Sequence, residues 1–379
     1  MKQRIAFLYL ETGSGHINPA AALARTIVDS YPGSSDVFLF DGFSKKMKLC
    51  RSFFVDGYAL TSNYLESFYV AFYQLTRLSV SIRVGNYFVS LHGETHLIHL
   101  LREYGITKVV CMHEVLTIVT RQAINKVDPS IPLITIVTDP YTAHPLWFYE
   151  KNMEVIVFSE KLRREAIERY AYPEKQIHVF PFLFSSEYDH PYETQKIKLV
   201  RKNFGVPDNQ KILLIAGGGE GLRKAEKIVD AFIRRKSTEK LIVVCGRNDR
   251  QKERISRMIK KAGTDNILVF GFVSFMPDLL NIADCVITKG GASMLMETLA
   301  VGKPAVFSTY IRGQEWGNIV FAVKNNAGWY IRNPDAILDK ADEILRDPDC
   351  AANVKNNISK LKITNGLSSI ASFIHDFKI

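Results

Sequence analysis

The feature that most constrains this chain is a short apolar run followed by a loop and a helix-forming stretch, because it recurs through both halves of the sequence. Near-continuous apolar runs of this length are typical of strands buried on both faces of a parallel sheet. The expected strands of the first half are residues 4–10, 36–40, 107–112, 133–138 and 155–158. Those of the second half are residues 211–216, 240–245, 267–270, 285–288 and 305–308. We therefore expect an α/β protein with two Rossmann-like, doubly wound domains.

The length of the chain agrees with this division. At roughly 150 residues per domain, 379 residues correspond to two or three domains. A stretch interrupted by three prolines separates the two series of strands, so we place the junction between about Phe182 and Tyr192. A cleft between the domains is the expected active site. The predicted segments are residues 1–185, 186–360 and 361–379.

Composition indicates an ordinary folded protein of the cytoplasm. Hydrophobic residues make up 47% of the chain and charged residues 23%, close to the averages for globular proteins, which argues against a disordered or fibrous chain. No run reaches the ~20 apolar residues of a membrane-spanning helix, and the first residues do not read as an export signal. The five cysteines include no Cys-x-x-Cys pair, so we interpret them as reduced thiols.

The net charge of +10 is concentrated in the second half of the chain. Residues 1–190 hold 19 basic and 19 acidic side chains, whereas the remaining residues hold 30 basic and 20 acidic ones. Such a positive field favours nucleic acid, anionic lipid or phosphorylated small molecules as partners. We expect no nucleic acid, because no recognised nucleic-acid-binding module is present.

An insertion in the first half departs from the strand–helix pattern. It begins with the basic residues Lys45, Lys46, Lys48 and Arg51 and continues into an aromatic stretch that starts at Phe53 and Phe54. Cations beside aromatic rings suit a helix that lies among lipid headgroups. The alternative is that the aromatic side chains are core residues and the lysines are solvated. The membrane interpretation gains weight if the substrate is a lipid.

The first glycine-rich loop places a histidine at the expected start of a helix. Gly13 and Gly15 follow the first strand and precede His16. The dinucleotide-binding pattern GxGxxG requires a third glycine where Asn18 stands, so the loop favours NAD only weakly. At this position an imidazole that faces a cleft can accept a proton from a hydroxyl group.

Three further polar loops follow strands of the second half. Residues 217–221 (GGGEG) and 289–293 (KGGAS) both lie between a strand and a helix, where free main-chain N–H groups can bind a phosphate. The first of them lacks the Gly-Lys-Ser/Thr ending of a Walker A loop. Residues 313–318 (GQEWGN) carry amide and carboxylate groups that suit sugar hydroxyls.

Together these motifs resemble glycosyltransferase family 28. The resemblance is to its monogalactosyldiacylglycerol synthases and processive diacylglycerol glucosyltransferases, and more distantly to the bacterial lipid II GlcNAc transferase. The first loop departs from the plant galactolipid enzymes, which have a triple glycine there. The motifs that carry the resemblance are GSGHINPA (residues 13–20), TDPYTAHPLWF (138–148), GGGEG (217–221), CGRN (245–248), residues 271–304 and GQEWGN (313–318).

The resemblance implies the GT-B fold, with the acceptor bound mainly by the first domain and a UDP-sugar by the second. It also implies that the C-terminal helix, residues 361–379, packs back on the first domain. His16 would be the catalytic base, and Gly15, Asn18 and Trp147 would contact the acceptor. The implied donor-binding residues are Gly218, Gly219, Arg247, Phe272, Val273, Met276, Lys289, Gly291, Ala292, Ser293, Glu297, Gln314, Glu315 and Asn318.

The implied reaction is direct displacement at the anomeric carbon with inversion. UDP-glucose or UDP-galactose would be the donor, and diacylglycerol or a glycolipid would be the acceptor at the inner face of the cell membrane, an anionic surface. We expect no metal or cofactor, because no Asp-x-Asp pair lies in a suitable loop, and we expect a chelator to leave activity unchanged. The alternatives are a transferase for another polyprenyl or glycan acceptor, an epimerase acting on UDP-GlcNAc, and a UDP-sugar sensor without catalysis.

Overall fold

The protein forms two compact units, each built on a six-stranded parallel sheet. The computed structural model describes residues 2–11, 14–44, 47 and 66–378. The first unit consists of Met1–Phe184, Arg312–Gln314 and Asn365–Ile379, and the second of Ser185–Ile311 and Glu315–Thr364. The α/β, doubly wound fold class predicted from the sequence is confirmed.

In the first unit the strand order is β2-β1-β3-β4-β5-β6. The central strands β3 and β4 are buried along their whole length, because helices cover both faces of the sheet. The strands are β1 (Gln3–Tyr9), β2 (Ser35–Asp41), β3 (Lys108–Cys111), β4 (Leu133–Ile136), β5 (Glu154–Val157) and β6 (Ile177–Val179). The helices are α1 (Ser14–Ser30), α2 (Glu66–Leu75), α3 (Ser79–Glu103), α4 (Thr117–Val127) and α5 (Glu160–Tyr170).

In the second unit the strand order is β12-β11-β10-β7-β8-β9. Chain order reverses between β7 and β10, which is where doubly wound sheets bind ligands at the carboxyl ends of their strands. The strands are β7 (Ile212–Ala216), β8 (Lys240–Val244), β9 (Ile267–Phe270), β10 (Cys285–Lys289), β11 (Ala305–Thr309) and β12 (Gly328–Tyr330). The helices are α6 (Thr194–Asn203), α7 (Ala225–Arg234), α8 (Asp249–Ala262), α9 (Met276–Ile282), α10 (Ala292–Ala300), α11 (Trp316–Lys324), α12 (Pro334–Arg346) and α13 (Pro348–Lys360).

The C-terminal helix α14 (Leu367–Asp376) lies in the first unit and packs on α1. Its apolar side chains Ile370 and Ile374 are fully buried. The buried amine of Lys108 donates hydrogen bonds to the carbonyl oxygens of Ile374 and His375, the latter at 2.9 Å. A cation at this end of a helix satisfies carbonyl groups that have no partner within the helix.

No helix in the described part of the chain is long and apolar enough to cross a bilayer. The predicted membrane-binding residues Lys45, Lys46, Lys48, Arg51, Phe53 and Phe54 lie outside the described residues.

Candidate active site

The candidate base His16 lies in the first turn of α1, and its ring is oriented by the main chain. Its Nδ1 atom is 2.7 Å from the carbonyl oxygen of Met112, the residue that follows β3. A carbonyl oxygen only accepts hydrogen bonds, so Nδ1 carries the proton and donates. The lone pair of the imidazole is therefore on Nε2, which is the atom that can take a proton from a hydroxyl group.

A second histidine contacts the candidate base. The ring centroids of His16 and His113 are 4.6 Å apart, and His113 is buried. Burial lowers the pKa of His113 to about 3, and burial together with His113 lowers the pKa of His16 to about 4. The Glu114 carboxylate acts in the opposite direction on His16. Both imidazoles are consequently neutral at pH 7, so Nε2 of His16 is free of a proton and can act as a base.

The predicted acceptor residues differ in their exposure. Gly15 and Asn18 are exposed near the start of α1. Trp147, by contrast, is only 1% exposed and forms part of the core of the first unit. This burial does not fit the expected direct contact with an acceptor, because the indole has almost no free surface.

In the second unit, the loop after β7 is built from close main-chain contacts. Gly218 and Gly221 have φ values of +81° and +71°, which favour glycine. The N–H of Arg247 donates to the carbonyl oxygen of Gly219 at 2.7 Å, and the N–H of Gly221 donates to that of Gly218 at 3.0 Å. These carbonyl groups are thus occupied within the protein. Around Gly218 an added Cβ would meet no described atom within 4 Å, so a ligand has room to approach there.

Beside this loop, Arg247 and Phe272 form an exposed pair. The guanidinium of Arg247 lies 4.9 Å from the centroid of the Phe272 ring, and Phe272 is 61% exposed. Val273 and Met276 follow it and are half-buried. An exposed aromatic ring next to a cation offers a surface on which a planar base can stack. The geometry is compatible with the uracil site that the family resemblance implies.

The loop after β10 leads into a helix start with a cation beside it. Gly291 is the N-cap of α10, and no described side chain caps the first N–H groups, which include those of Ala292 and Ser293. Lys289 Nζ lies 2.8 Å from Glu315 Oε1. Uncapped N–H groups and a nearby lysine attract an anion such as a diphosphate.

Glu315 is fixed by two partners. Its Oε1 atom accepts from Lys289, and its Oε2 atom accepts from the N–H of Ile311 at 2.8 Å. Both contacts are to strong donors, and the side chain is only 5% exposed. The carboxylate therefore holds Lys289 and the loop after β11 in place, and a sugar hydroxyl would have to share it with these donors.

Asn318 lies beneath the same loop. Its side chain is fully buried, and its Nδ2 donates to the carbonyl oxygen of Gly290 at 2.8 Å. This Nδ2 group is used to fix the glycine loop from behind, while the expected contact of Asn318 with the donor stays a prediction. The role that the structure assigns is support of the loop after β10.

The sequence did not indicate the partner of Glu297. The hydroxyl of Tyr188 donates a hydrogen bond to the Glu297 carboxylate. Tyr188 is buried, and burial raises the pKa of Glu297 to about 7. More than a hundred residues separate the two side chains, and no local pattern connects them. Tyr188 thus orients the carboxylate that the resemblance assigns to a ribose diol.

Gln314 and Glu315 are neighbours in the sequence but fall in different units. Gln314 groups with the first unit, where its Nε2 donates to Asp139 Oδ2 at 3.1 Å.

Within the described parts of the chain, no group of three or more His, Cys, Asp or Glu side chains is arranged to hold a metal ion.

The two Rossmann-like units define the class of this protein as a GT-B fold. The MurG structure from Acinetobacter baumannii has a TM-score of 0.64 at 14% sequence identity, and the match covers 99% of this chain and 100% of that one. The structure of HepE from Anabaena in complex with UDP-glucose has a TM-score of 0.60 at 14% identity, covering 98% of each chain. At these identities the likeness concerns the fold alone.

Sequence comparisons confirm the resemblance indicated by the motifs. The model of the glycosyltransferase family 28 C-terminal domain matches residues 212–370, and the model of monogalactosyldiacylglycerol synthase matches residues 16–180. A processive diacylglycerol beta-glucosyltransferase from Bacillus subtilis is 27% identical over 235 residues, which are 62% of this chain and 60% of that protein. Monogalactosyldiacylglycerol synthase 1 from Arabidopsis thaliana is 28% identical over 214 residues, 55% of this chain and 39% of that protein. The matches thus span less than two thirds of either relative.

Proposed function

We propose that this chain is an inverting glycosyltransferase that moves a hexose from UDP-glucose or UDP-galactose to diacylglycerol or a glycosyldiacylglycerol. The similar proteins from Bacillus subtilis and Arabidopsis thaliana support the lipid acceptor, and the uncapped start of α10 beside Lys289 supports a donor that carries a diphosphate. The reaction takes place at the cytoplasmic face of the membrane, where a diacylglycerol hydroxyl meets a nucleotide sugar.

The observation that carries the proposal is the hydrogen bond from His16 Nδ1 to the carbonyl oxygen of Met112. It fixes the tautomer whose Nε2 accepts a proton. A protein that only senses a UDP-sugar needs no such base.

The chemical step is a single displacement. Nε2 of His16 takes the proton of the acceptor hydroxyl as its oxygen forms a bond to the anomeric carbon. The bond between that carbon and the oxygen of the β-phosphate breaks, and UDP leaves with the electron pair. Attack from the face opposite the leaving group inverts the configuration.

The second unit stabilises the leaving group in this proposal. Main-chain N–H groups at Gly218, Ala292 and Ser293 and the ammonium of Lys289 meet the negative charge that develops on UDP. Because the Lys289 ammonium is paired with Glu315, part of its charge is balanced before the donor binds. The Glu297 carboxylate, oriented by Tyr188, binds the ribose.

The test is incubation with vesicles that contain diacylglycerol and with UDP-glucose or UDP-galactose separately, followed by mass analysis of the lipids. One donor should give a lipid heavier by one hexose. His16→Ala should abolish this product while the affinity for UDP changes little, since the base lies in the first unit. No lipid product with either donor contradicts the proposal, as does a near-normal rate in His16→Ala.

A further inference from the structure

A groove on the second unit is lined mainly by cations. Helices α7 and α8 pack against each other, and a hollow of about 700 Å³ lies between the start of α7 and the middle of α8. Its lining includes five cations and a single carboxylate, that of Glu226. We call this hollow the basic groove. Its cations are Arg223, Lys224, Lys227, Arg254 and Arg257.

The carboxylate of Glu226 offsets only part of this charge. Its Oε2 atom accepts from Gln251 Nε2 at 3.0 Å, and its Oε1 atom lies 3.6 Å from Arg254 Nε. Lys227 and Arg257 are exposed, and no carboxylate in the described part of the chain pairs with either of them. The groove therefore presents an excess of positive charge to solvent, which attracts an anionic partner.

The same charge continues along α8 as a stripe. Arg250, Arg254, Arg257 and Lys261 are exposed, and their spacing of four, three and four residues places them on one face of the helix. Ile255, on the opposite face, is fully buried. At a rise of about 1.5 Å per residue the stripe is about 16 Å long. A row of cations of this length suits an extended ligand better than a compact anion such as free phosphate.

We infer that the basic groove and the α8 stripe bind an acidic segment of a partner protein. Carboxylates of the segment accept paired hydrogen bonds from the arginine guanidinium groups. Met258 lines the groove and is half-buried, so an apolar side chain of the segment can pack on it and on the aliphatic stems of the cations. Recognition of acidic segments by arginine clusters is a recurring mode of binding. The inference goes beyond the proposed function, because the transfer reaction does not use this surface.

Two other polyanions fit the basic groove less well. A surface that enters a bilayer carries apolar side chains beside its cations. None of the large apolar side chains that are exposed in the described chain lines the groove. Single-stranded nucleic acid stacks its bases on aromatic rings, and no aromatic ring is among the described residues of the lining. A protein segment needs neither feature, since it supplies its own apolar side chains.

The inference is tested by fluorescence anisotropy of a labelled peptide of glutamate and leucine residues, titrated with the full chain. Lys227→Gln combined with Arg257→Gln removes one cation from each wall of the groove, and we expect the affinity for the peptide to fall at least about tenfold. The matched control is Lys198→Gln with Lys202→Gln on α6, which removes the same charge from exposed positions of the same unit. It should bind the peptide as the unchanged protein does.

Two outcomes of this titration contradict the inference. An equal loss of affinity in the groove variant and in the control would show that net charge alone attracts the peptide, and would overturn the inference. Unchanged affinity in the groove variant would overturn it as well. Because the titration contains neither UDP-sugar nor lipid, its result is independent of the proposed transfer reaction.

Competition identifies the class of the partner. Unlabelled peptide, vesicles of phosphatidylcholine and phosphatidylglycerol, and a single-stranded DNA oligonucleotide are each added to the bound peptide at matched concentrations of negative charge. We expect the unlabelled peptide to displace the label at the lowest concentration. Displacement by vesicles or by the oligonucleotide at a lower concentration would assign the groove to a membrane or to nucleic acid and would overturn the inference.

Light scattering tests whether a second copy of this chain occupies the groove. The unchanged protein and the groove variant should have the same mass in solution. A dimer that the groove variant converts to monomers would show that the groove joins two copies, and would overturn the inference.

Discussion

At the scale of single residues, the candidate base is oriented by a carbonyl group rather than by a carboxylate. The Met112 carbonyl fixes the tautomer of His16 without placing a formal charge on the ring. A charged partner would raise the pKa of the imidazole, whereas burial beside His113 lowers it to about 4. The consequence is an imidazole that stays neutral, with its Nε2 free to accept a proton, over the whole neutral range.

The first prediction concerns the pH dependence of the transfer rate. Activity should be constant near neutrality and fall as the pH drops through about 4, because protonated His16 cannot accept a proton. His113→Gln removes the neighbour that lowers this pKa, so the acid limb should move to higher pH.

Glu114→Gln serves as a control, because it should shift the pKa of His16 in the opposite direction. Its carboxylate raises the pKa of His16, so the variant should move the limb to lower pH. The pH profile of kcat for the three proteins checks both shifts. Shifts in the same direction for both variants would contradict the assigned electrostatics.

The second prediction concerns the carboxyl group of Glu297, whose pKa burial raises to about 7. A ribose diol donates hydrogen bonds most strongly to the ionised form. The affinity for UDP-glucose should therefore increase from pH 6 to pH 8. In Glu297→Gln it should be weaker and independent of pH over this range.

Equilibrium binding measured at both pH values checks this prediction without turnover. Tyr188→Phe removes the donor to Glu297 and should weaken binding while retaining the pH dependence. A flat profile in the unchanged protein would remove Glu297 from the nucleotide site.

At the scale of elements, the sequence predicted the longer strands but missed the two shortest ones. Strands such as β7 and β10 are buried along almost their full length and so appear as apolar runs in the sequence. The two strands that were not predicted, β6 and β12, have three residues each and lie at sheet edges. Three residues are too few for periodicity to distinguish a strand from a loop.

The third prediction concerns two glycines of the second unit that have positive φ values. Gly246 and Gly263 have similar φ values of +59° and +63°, but their surroundings differ. A Cβ on Gly246 would lie 2.2 Å from the carbonyl oxygen of Gly219, whereas one on Gly263 would meet no described atom within 4 Å. Gly263→Ala should cost about 1 kcal/mol of unfolding free energy from backbone strain. Gly246→Ala should cost about 3 kcal/mol because main-chain atoms must also move.

Chemical denaturation of the two variants checks this difference, and UDP binding provides a second readout. Gly246→Ala should weaken UDP binding because it displaces the loop at Gly219, whereas Gly263→Ala should not. Equal stability and equal UDP affinity of the two variants would contradict the close packing of Gly246 against Gly219.

At the scale of the whole molecule, the sequence predicted two α/β units but not the long-range contacts that complete the sites. The contact of His16 with Met112 joins the start of α1 to the end of β3, and that of Tyr188 with Glu297 crosses more than a hundred residues. Neither contact leaves a local pattern. The glycine loops could be predicted because a strand, a turn and a helix follow one another directly in the chain.

The fourth prediction concerns stability in acid. Burial lowers the pKa values of His16, His113 and His144 to about 4, 3 and 4. In the unfolded chain these pKa values return to about 6.5. Between about pH 4 and pH 6.5 the unfolded chain therefore binds more protons than the folded protein does. The contribution of these neutral imidazoles to the free energy of unfolding is therefore complete above pH 6.5, and it is lost as the pH falls towards 4.

Urea unfolding at pH 7 and pH 4.5 checks this prediction. The free energy of unfolding should fall by at least about 3 kcal/mol between the two conditions. His144→Gln should reduce that difference. A stability that is the same at both pH values would contradict the burial of these imidazoles in their neutral form.

The anomeric configuration of the lipid product tests the central proposal most directly. In UDP-glucose and UDP-galactose the hexose has the α configuration, and a single displacement assisted by His16 gives a β-linked hexose on the lipid. Proton NMR of the purified lipid, made by the full chain from vesicles that contain diacylglycerol, distinguishes the two anomers. We expect the β signal alone, and an α-linked product or the absence of any hexosyl lipid would contradict the proposed inverting transfer.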